Sequence, residues 1–429
     1  MCDTLYVRQN GVGWFAKNSD REPDEPQAVV WLPPAQDDPA QTVRATYLDI
    51  PQQPRRYGVL LSQPAWIWGG EIGVNTQGVA IGNEAVFSKQ VDRKGQNLLG
   101  MDLLRLGLER GGTAREALDV IVWHLERFGQ GGPAGYRDKG FRYDNSFLIA
   151  DASGAWVLET AGRMWAARAV QSWAISNCYS LGTEFDLCSK GLQDEARRLR
   201  LWNGQGDFDF AKTFETWLYP FVGGAHRRRA LNCDAIAGGL VPGWASLAAR
   251  LRDHGQRSDD FAAHDNRQVC MHAGSMLRPS QTTASLIARL APHQEVRMAA
   301  TGTSAPCLSL FEPLRVAEPT AGSQVIAPGS RVGDSAWAKF EPVHHRALFD
   351  TEFRQSLQVE RDSLEKEFFQ RIETSDSNAW EEIAQRAEQW RVSWLDKALQ
   401  GNYRSSGLLG HWWNRVARRE SASSDDCFV

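Results

Sequence analysis

Met1-Cys2-Asp3-Thr4-Leu5-Tyr6-Val7 opens the chain, and Trp14-Phe15-Ala16-Lys17-Asn18-Ser19-Asp20-Arg21 follows after a turn that carries Gly11 and Gly13. The first run reads as a strand and the second as its return in a hairpin. Residues 17–21 then come back beside residue 2. Cys2 is small enough for cytosolic removal of Met1, which would leave a thiol and a free amine on one residue. That α-amino group titrates at roughly 7.7–8 and can take the proton of its own thiol near neutral pH, with no histidine base required. The thiolate would attack a carbonyl carbon. An amide is the natural target, because the ammonium formed can protonate the leaving amine. Within the hairpin, Asp20 is expected to hold the ammonium, and Lys17 or Arg21 to favour the thiolate.

Further blocks follow in order along the chain: Gly82-Asn83-Glu84-Ala85-Val86-Phe87, Asn145-Ser146-Phe147-Leu148-Ile149-Ala150-Asp151, Trp156 to Arg163, Thr282-Thr283-Ala284-Ser285 and Thr301-Gly302-Thr303. Together with the opening hairpin this set, spread over about the first 315 residues, resembles the secernin and C69 dipeptidase family of N-terminal-nucleophile hydrolases. The resemblance implies an α+β fold, a four-layer αββα sandwich of two stacked antiparallel sheets. It also implies a cysteine-type amidohydrolase that cleaves a dipeptide-like amide through an acyl-enzyme on Cys2. Asp20 would orient the amine, and Asn83 and Asn177 would hold the oxyanion, a role whose loss costs roughly a hundredfold in rate. Lys17, Asn18 and Arg21 are the expected supporting and substrate-binding residues, and neither metal nor cofactor is called for. Choloylglycine-hydrolase-like enzymes, which act on non-peptide amides, share much of this pattern. Secernin relatives are also associated with exocytosis, which keeps a non-catalytic interaction protein as the alternative outside enzymes. Where bile-salt-hydrolase-like relatives carry a supporting arginine, this chain has Ser280-Gln281-Thr282-Thr283, with Arg267 and Arg278 as the candidate substitutes.

Composition narrows the classes further. The chain has 429 residues, 42% of them hydrophobic, with a formal net charge of -4, so a core is available and a nucleic-acid footprint is not. No apolar run approaches the roughly 18 residues of a membrane span, and the polar start lacks a signal-peptide pattern. Seven cysteines are an odd number at irregular spacings, which points to reduced thiols and to the cytoplasm as the expected compartment. Cys270-Met271-His272 and His344-His345 are the close groupings of ligand-type residues, and a structural role is expected for both.

Along the chain, residues 57–87 read as a β-meander. Met101, Leu104 and Leu108, then a Thr113-Ala114-Arg115-Glu116 capping box ahead of Leu118, Ile121 and Leu125, predict an αα-hairpin over 97–128. Strands return between Phe147 and Asn177 and are expected to form a second sheet stacked on the first. Residues 186–254 read as mostly helical. A further strand section, from Gln268-Val269-Cys270-Met271-His272 to Cys307-Leu308-Ser309-Leu310, is expected before the composition changes near 335. The expected division is a hydrolase domain over 1–334, a helical extension over 335–415 with long helices at 346–372 and 378–399, and a disordered tail over 416–429. The extension is expected to pack on the hydrolase domain or on a second copy of the chain.

Overall fold

In the computed structural model the opening hairpin pairs Cys2 with Ser19, Thr4 with Lys17 and Tyr6 with Phe15. The structure describes residues 1–255, 261, 264–373, 376–400, 403, 405–420 and 423–429. The hairpin strands are β1 (Cys2–Gln9) and β2 (Val12–Arg21). Next come β3 (Gln27–Leu32), a small β4 (Thr42–Arg44) and β5 (Asp49–Pro51) pair, and the meander β6 (Val59–Pro64), β7 (Ile72–Asn75) and β8 (Ala80–Val86). The αα-hairpin is α1 (Gly100–Arg110) and α2 (Ala114–Phe128), with Thr113 accepting from the Glu116 amide as the capping box predicts. Strands β9 (Asp144–Ala150), β10 (Ala155–Ala161), β11 (Met164–Val170), β12 (Ser172–Ser176) and the short β13 (Leu187–Cys188) follow.

The helical insertion comprises α3 (Leu192–Arg198), α4 (Phe210–Phe214), α5 (Leu218–Val222), α6 (Ala225–Ala237) and α7 (Trp244–Leu251). The chain then re-enters a sheet as β14 (Gln281–Leu290), β15 (Arg297–Thr301) and β16 (Glu312–Arg315), and ends in α8 (Ala336–Phe349), α9 (Thr351–Arg371), α10 (Ser377–Gln400) and α11 (Gly407–Glu420).

Two antiparallel sheets result, ordered β12-β1-β2-β14-β15-β16 and β13-β11-β10-β9-β8-β7-β6-β3. Tyr6 and Phe15 of the first meet Leu60, Val74, Leu148 and Val157 of the second in the core between them. The outer face of the eight-stranded sheet, with Leu61, Ile81 and Phe147, packs on Leu104, Leu108 and Ile121 of α1 and α2. The outer face of the six-stranded sheet, with Leu5, Ala16 and Ile287, packs on Trp244, Leu247 and Leu251 of α7. The order of layers is therefore αββα. Period-two alternation along β1 sends Tyr6 inward and Leu5 out to the helices.

Four expectations are corrected. Strands β9 to β11 do not form a sheet stacked on the 57–87 meander but extend the meander's own sheet. β9 pairs with β8, placing Asn83 opposite Phe147, because the αα-hairpin returns the chain beside the strand it left. β12 alone crosses over, to pair with β1. Residues 268–272 and 307–310 are not strands. The helix expected over 346–372 begins afresh at Thr351, where Asp350 caps α9 by accepting from the Phe353 amide. The expected disordered tail is ordered where described: α11 runs to Glu420, Phe428 is 2% exposed, and the amide of Val429 donates to the carbonyl of Ala65. An aromatic side chain with an apolar slot to fill outweighs the polar composition around it.

Candidate active site

Cys2 sits at the end of β1 on the floor of a cleft of about 310 Å³, which Asp20, Arg21, Glu71 and Asn177 also line. Its thiol is 3.7 Å from Glu71 Oε2 and lies 3.4 Å from the backbone N–H of Asp20. The amide nitrogen of Cys2 donates to Asn177 Oδ1 at 2.6 Å, and the amine of Met1 to the backbone carbonyl of Asp20 at 2.7 Å. Burial pushes the Cys2 thiol up to about 11, against the pull of the Lys17 ammonium. Burial likewise lifts the Asp20 carboxyl to about 6, with the chain's amine and Arg228 acting the other way. Thr282 fixes that carboxylate by donating to Oδ1 at 2.6 Å.

Lys17 lies beneath the cleft, between the sheets. Its ammonium is 2.9 Å from Glu84 Oε1, both side chains are fully buried, and Thr4 donates to the same carboxylate. Gly82 leaves room for this pair. A Cβ there would stand 2.7 Å from Lys17 Cδ and 2.8 Å from Thr4 Oγ1. Arg21 does line the cleft, held by Glu25 and Glu71 in a buried cluster that orients Glu71 toward the thiol.

Three expected roles change. Asn18 turns away from the cleft: its Nδ2 donates to the carbonyls of Leu251 and Val269, and its Oδ1 accepts from Ser285. Asn83 is not among the lining residues, and its Nδ2 donates to Asn145 Oδ1 at 2.8 Å. Asn177 is at the nucleophile, but two donors, Cys2 N and Arg228 Nη2, fix its oxygen toward them, while Nδ2 donates to the carbonyl of Ala85. In this arrangement Asn177 holds the amine side of Cys2.

Two residues at the site were not expected. Glu71 follows Gly69-Gly70, a setting that reads as a surface turn. Arg228 sits in a run of three arginines that reads as a basic surface, yet it is fully buried on α6 and donates to the Cys2 carbonyl, Asp3 Oδ2 and Asn177 Oδ1. It stands against Cys2 where Arg267 and Arg278 were the expected candidates. Arg278 instead donates to the carbonyls of Phe261 and His264. Within the Trp156 to Arg163 block, Glu159 ties the 180–181 turn by accepting from the amides of Ser180 and Leu181.

No family model matches the chain. Among solved structures, the chain is similar to a mutant conjugated bile acid hydrolase from Clostridium perfringens, at 11% identity over 70% of this chain and 92% of that one, with a TM-score of 0.38. It is also similar to penicillin V acylase from Agrobacterium tumefaciens, at 15% identity over 70% of this chain and 82% of that one, again with a TM-score of 0.38. Both superpositions are loose.

Away from the cleft, two groups of ligand-type side chains come together among the described residues. Glu341, His344 and His345 are explained by internal pairs, with Glu341 3.0 Å from His344 and Glu420 3.2 Å from His345. The other group, His254, Cys270, His272 and Cys307, contains no carboxylate. Among the described residues no helix is long and apolar enough to cross a membrane.

Proposed function

We propose that this chain is a cysteine amidohydrolase of the N-terminal-nucleophile kind, acting once the residue ahead of Cys2 has been removed. The observation that carries the proposal is that the nitrogen of Cys2 already rests on Asn177 Oδ1 while its sulfur faces the cleft between Glu71 and the Asp20 amide. A free α-amine at that nitrogen would take the thiol proton, and its positive charge beside the sulfur would lower a thiol that burial now holds high. The thiolate adds to the substrate carbonyl carbon. The tetrahedral adduct collapses as the ammonium protonates the departing amine and the carbon–nitrogen bond breaks. Water, deprotonated by the same amine, then cleaves the thioester and restores the thiol.

A dipeptide-like substrate is favoured by the charge around the cleft, where Asp20, Glu22, Glu25 and Glu71 outnumber the single guanidinium of Arg21. Such a rim suits the α-ammonium of a short peptide. The second reading, an acylase for non-peptide amides, draws support from the apolar wall of Phe87 stacked on Tyr219 at 4.2 Å, with Phe141, Met276 and Leu277 nearby. Intact-mass measurement together with hydrolysis of a panel of dipeptides and N-acyl amides separates these. Cys2→Ala should abolish turnover of whichever class is cleaved. Full activity in that variant, or in a chain that keeps Met1, would refute the mechanism.

A further inference from the structure

Four buried side chains that the hydrolysis does not use converge beside β14. His254 follows α7, Cys270 and His272 lie on the segment leading into β14, and Cys307 follows β15. One ligand-type atom from each lies within 4.8 Å of the other three. His272 Nε2 is 3.1 Å from His254 Nε2, 3.3 Å from Cys307 Sγ and 3.6 Å from Cys270 Sγ. A ring nitrogen carries one hydrogen or one lone pair, so hydrogen bonding accounts for one of these approaches and not for three. These spacings, 3.1 to 3.6 Å, lie close to the edges of a coordination tetrahedron. Nitrogen at about 2.0–2.1 Å and sulfur at about 2.3 Å from a zinc ion stand about 3.3–3.8 Å from one another.

We propose that His254, Cys270, His272 and Cys307 bind a zinc ion that ties the end of α7 and the loop after β15 to the segment entering β14. The donor set is the soft, closed Cys2His2 type that suits structural zinc. Binding would release the two thiol protons, and two thiolates balance the charge of the ion, so a neutral assembly is what becomes buried. The rings of His264 and His272 lie with centroids 5.1 Å apart, and Phe261 packs on His272 at 4.2 Å. The site also reaches the nucleophile's support. The amide of Met271, between two of the ligands, donates to Thr282 Oγ1 at 2.9 Å, and that hydroxyl donates to Asp20. A zinc ion here would hold Thr282, and through it the Asp20 carboxylate, in place.

The test is the metal content of the full-length chain, purified without chelators and dialysed against zinc and then against buffer. About one zinc per chain is expected, falling below about a tenth in the Cys270→Ser/Cys307→Ser double variant and in His254→Ala. Because those variants could misfold, the unaltered chain decides on its own: replacing zinc by cobalt should give a thiolate-to-metal charge-transfer band in the near ultraviolet. Cys2→Ala should bind zinc as fully as the parent, which separates this proposal from the hydrolase mechanism. An unaltered chain that retains no metal and shows no cobalt band would overturn it. So would recovery of a Cys270–Cys307 disulfide in peptides alkylated without reduction.

Discussion

Asn177 Oδ1 accepts from the nitrogen of Cys2 at 2.6 Å and from Arg228 Nη2 at 2.8 Å, so one carbonyl oxygen joins Cys2 to a guanidinium 226 residues further along the chain. Arg228 also neutralises Asp3, which is 1% exposed. Arg228→Met would leave that carboxylate buried without its counter-ion, and a loss of about 3–5 kcal/mol is expected in urea denaturation. Arg228→Lys keeps a point charge but not the fork that reaches three acceptors. It should fall between parent and Met variant in stability.

While a residue precedes Cys2, its thiol sits at about 11, so roughly one molecule in ten thousand is a thiolate at pH 7. Labelling of Cys2 by iodoacetamide in that form should be slow at neutral pH and rise about tenfold per pH unit toward 11. Freeing the amine should make labelling fast at pH 7. Peptide mass spectrometry of the two forms checks this, and equal rates at pH 7 would remove the role given to the amine.

The Asp20 carboxyl is raised from 3.8 to about 6 by burial. A carboxyl raised in the folded state is stabilising when protonated, so its contribution is complete below about 4 and is lost as pH rises through about 6. Relative to Asp20→Asn, the parent should therefore gain up to about 3 kcal/mol between pH 8 and pH 4. Urea midpoints across that range measure it. A difference that does not change with pH would mean that Asp20 titrates normally.

Phe428, near the opposite end of the chain from the strands it approaches, is nearly sealed off, at 2% exposure. Phe428→Ala should lower stability by about 3 kcal/mol, as expected for a buried phenyl ring and not for a residue in a disordered end. Thermal unfolding of the two proteins distinguishes these outcomes.

Much of the local structure was legible. The hairpin of β1 and β2 declares itself through two apolar runs around glycines, and α2 through its capping box and 3.6-residue stripe, because in both cases the deciding contacts lie within a few residues. The nearness of Asp20 to Cys2 was legible too, since the return strand of a tight hairpin must pass the start of the first. The sheet to which β9 belongs was not legible. Its alternation states that one face is buried but not against which strand. Glu71 and Arg228 were missed for a related reason: one follows a Gly-Gly turn and the other sits in a run of arginines, and a charge in such a setting reads as exposed until its partner is known.

By itself, then, the chain determined most of its strands and helices and the hairpin that brings Asp20 beside Cys2, all set by short-range periodicity. Tertiary structure decided which side-chain amide and which arginine meet Cys2, and that His254 and Cys307 join Cys270 and His272. Those outcomes depend on pairs far apart in the chain, whose meeting is set by sheet order and packing, and no local pattern records either.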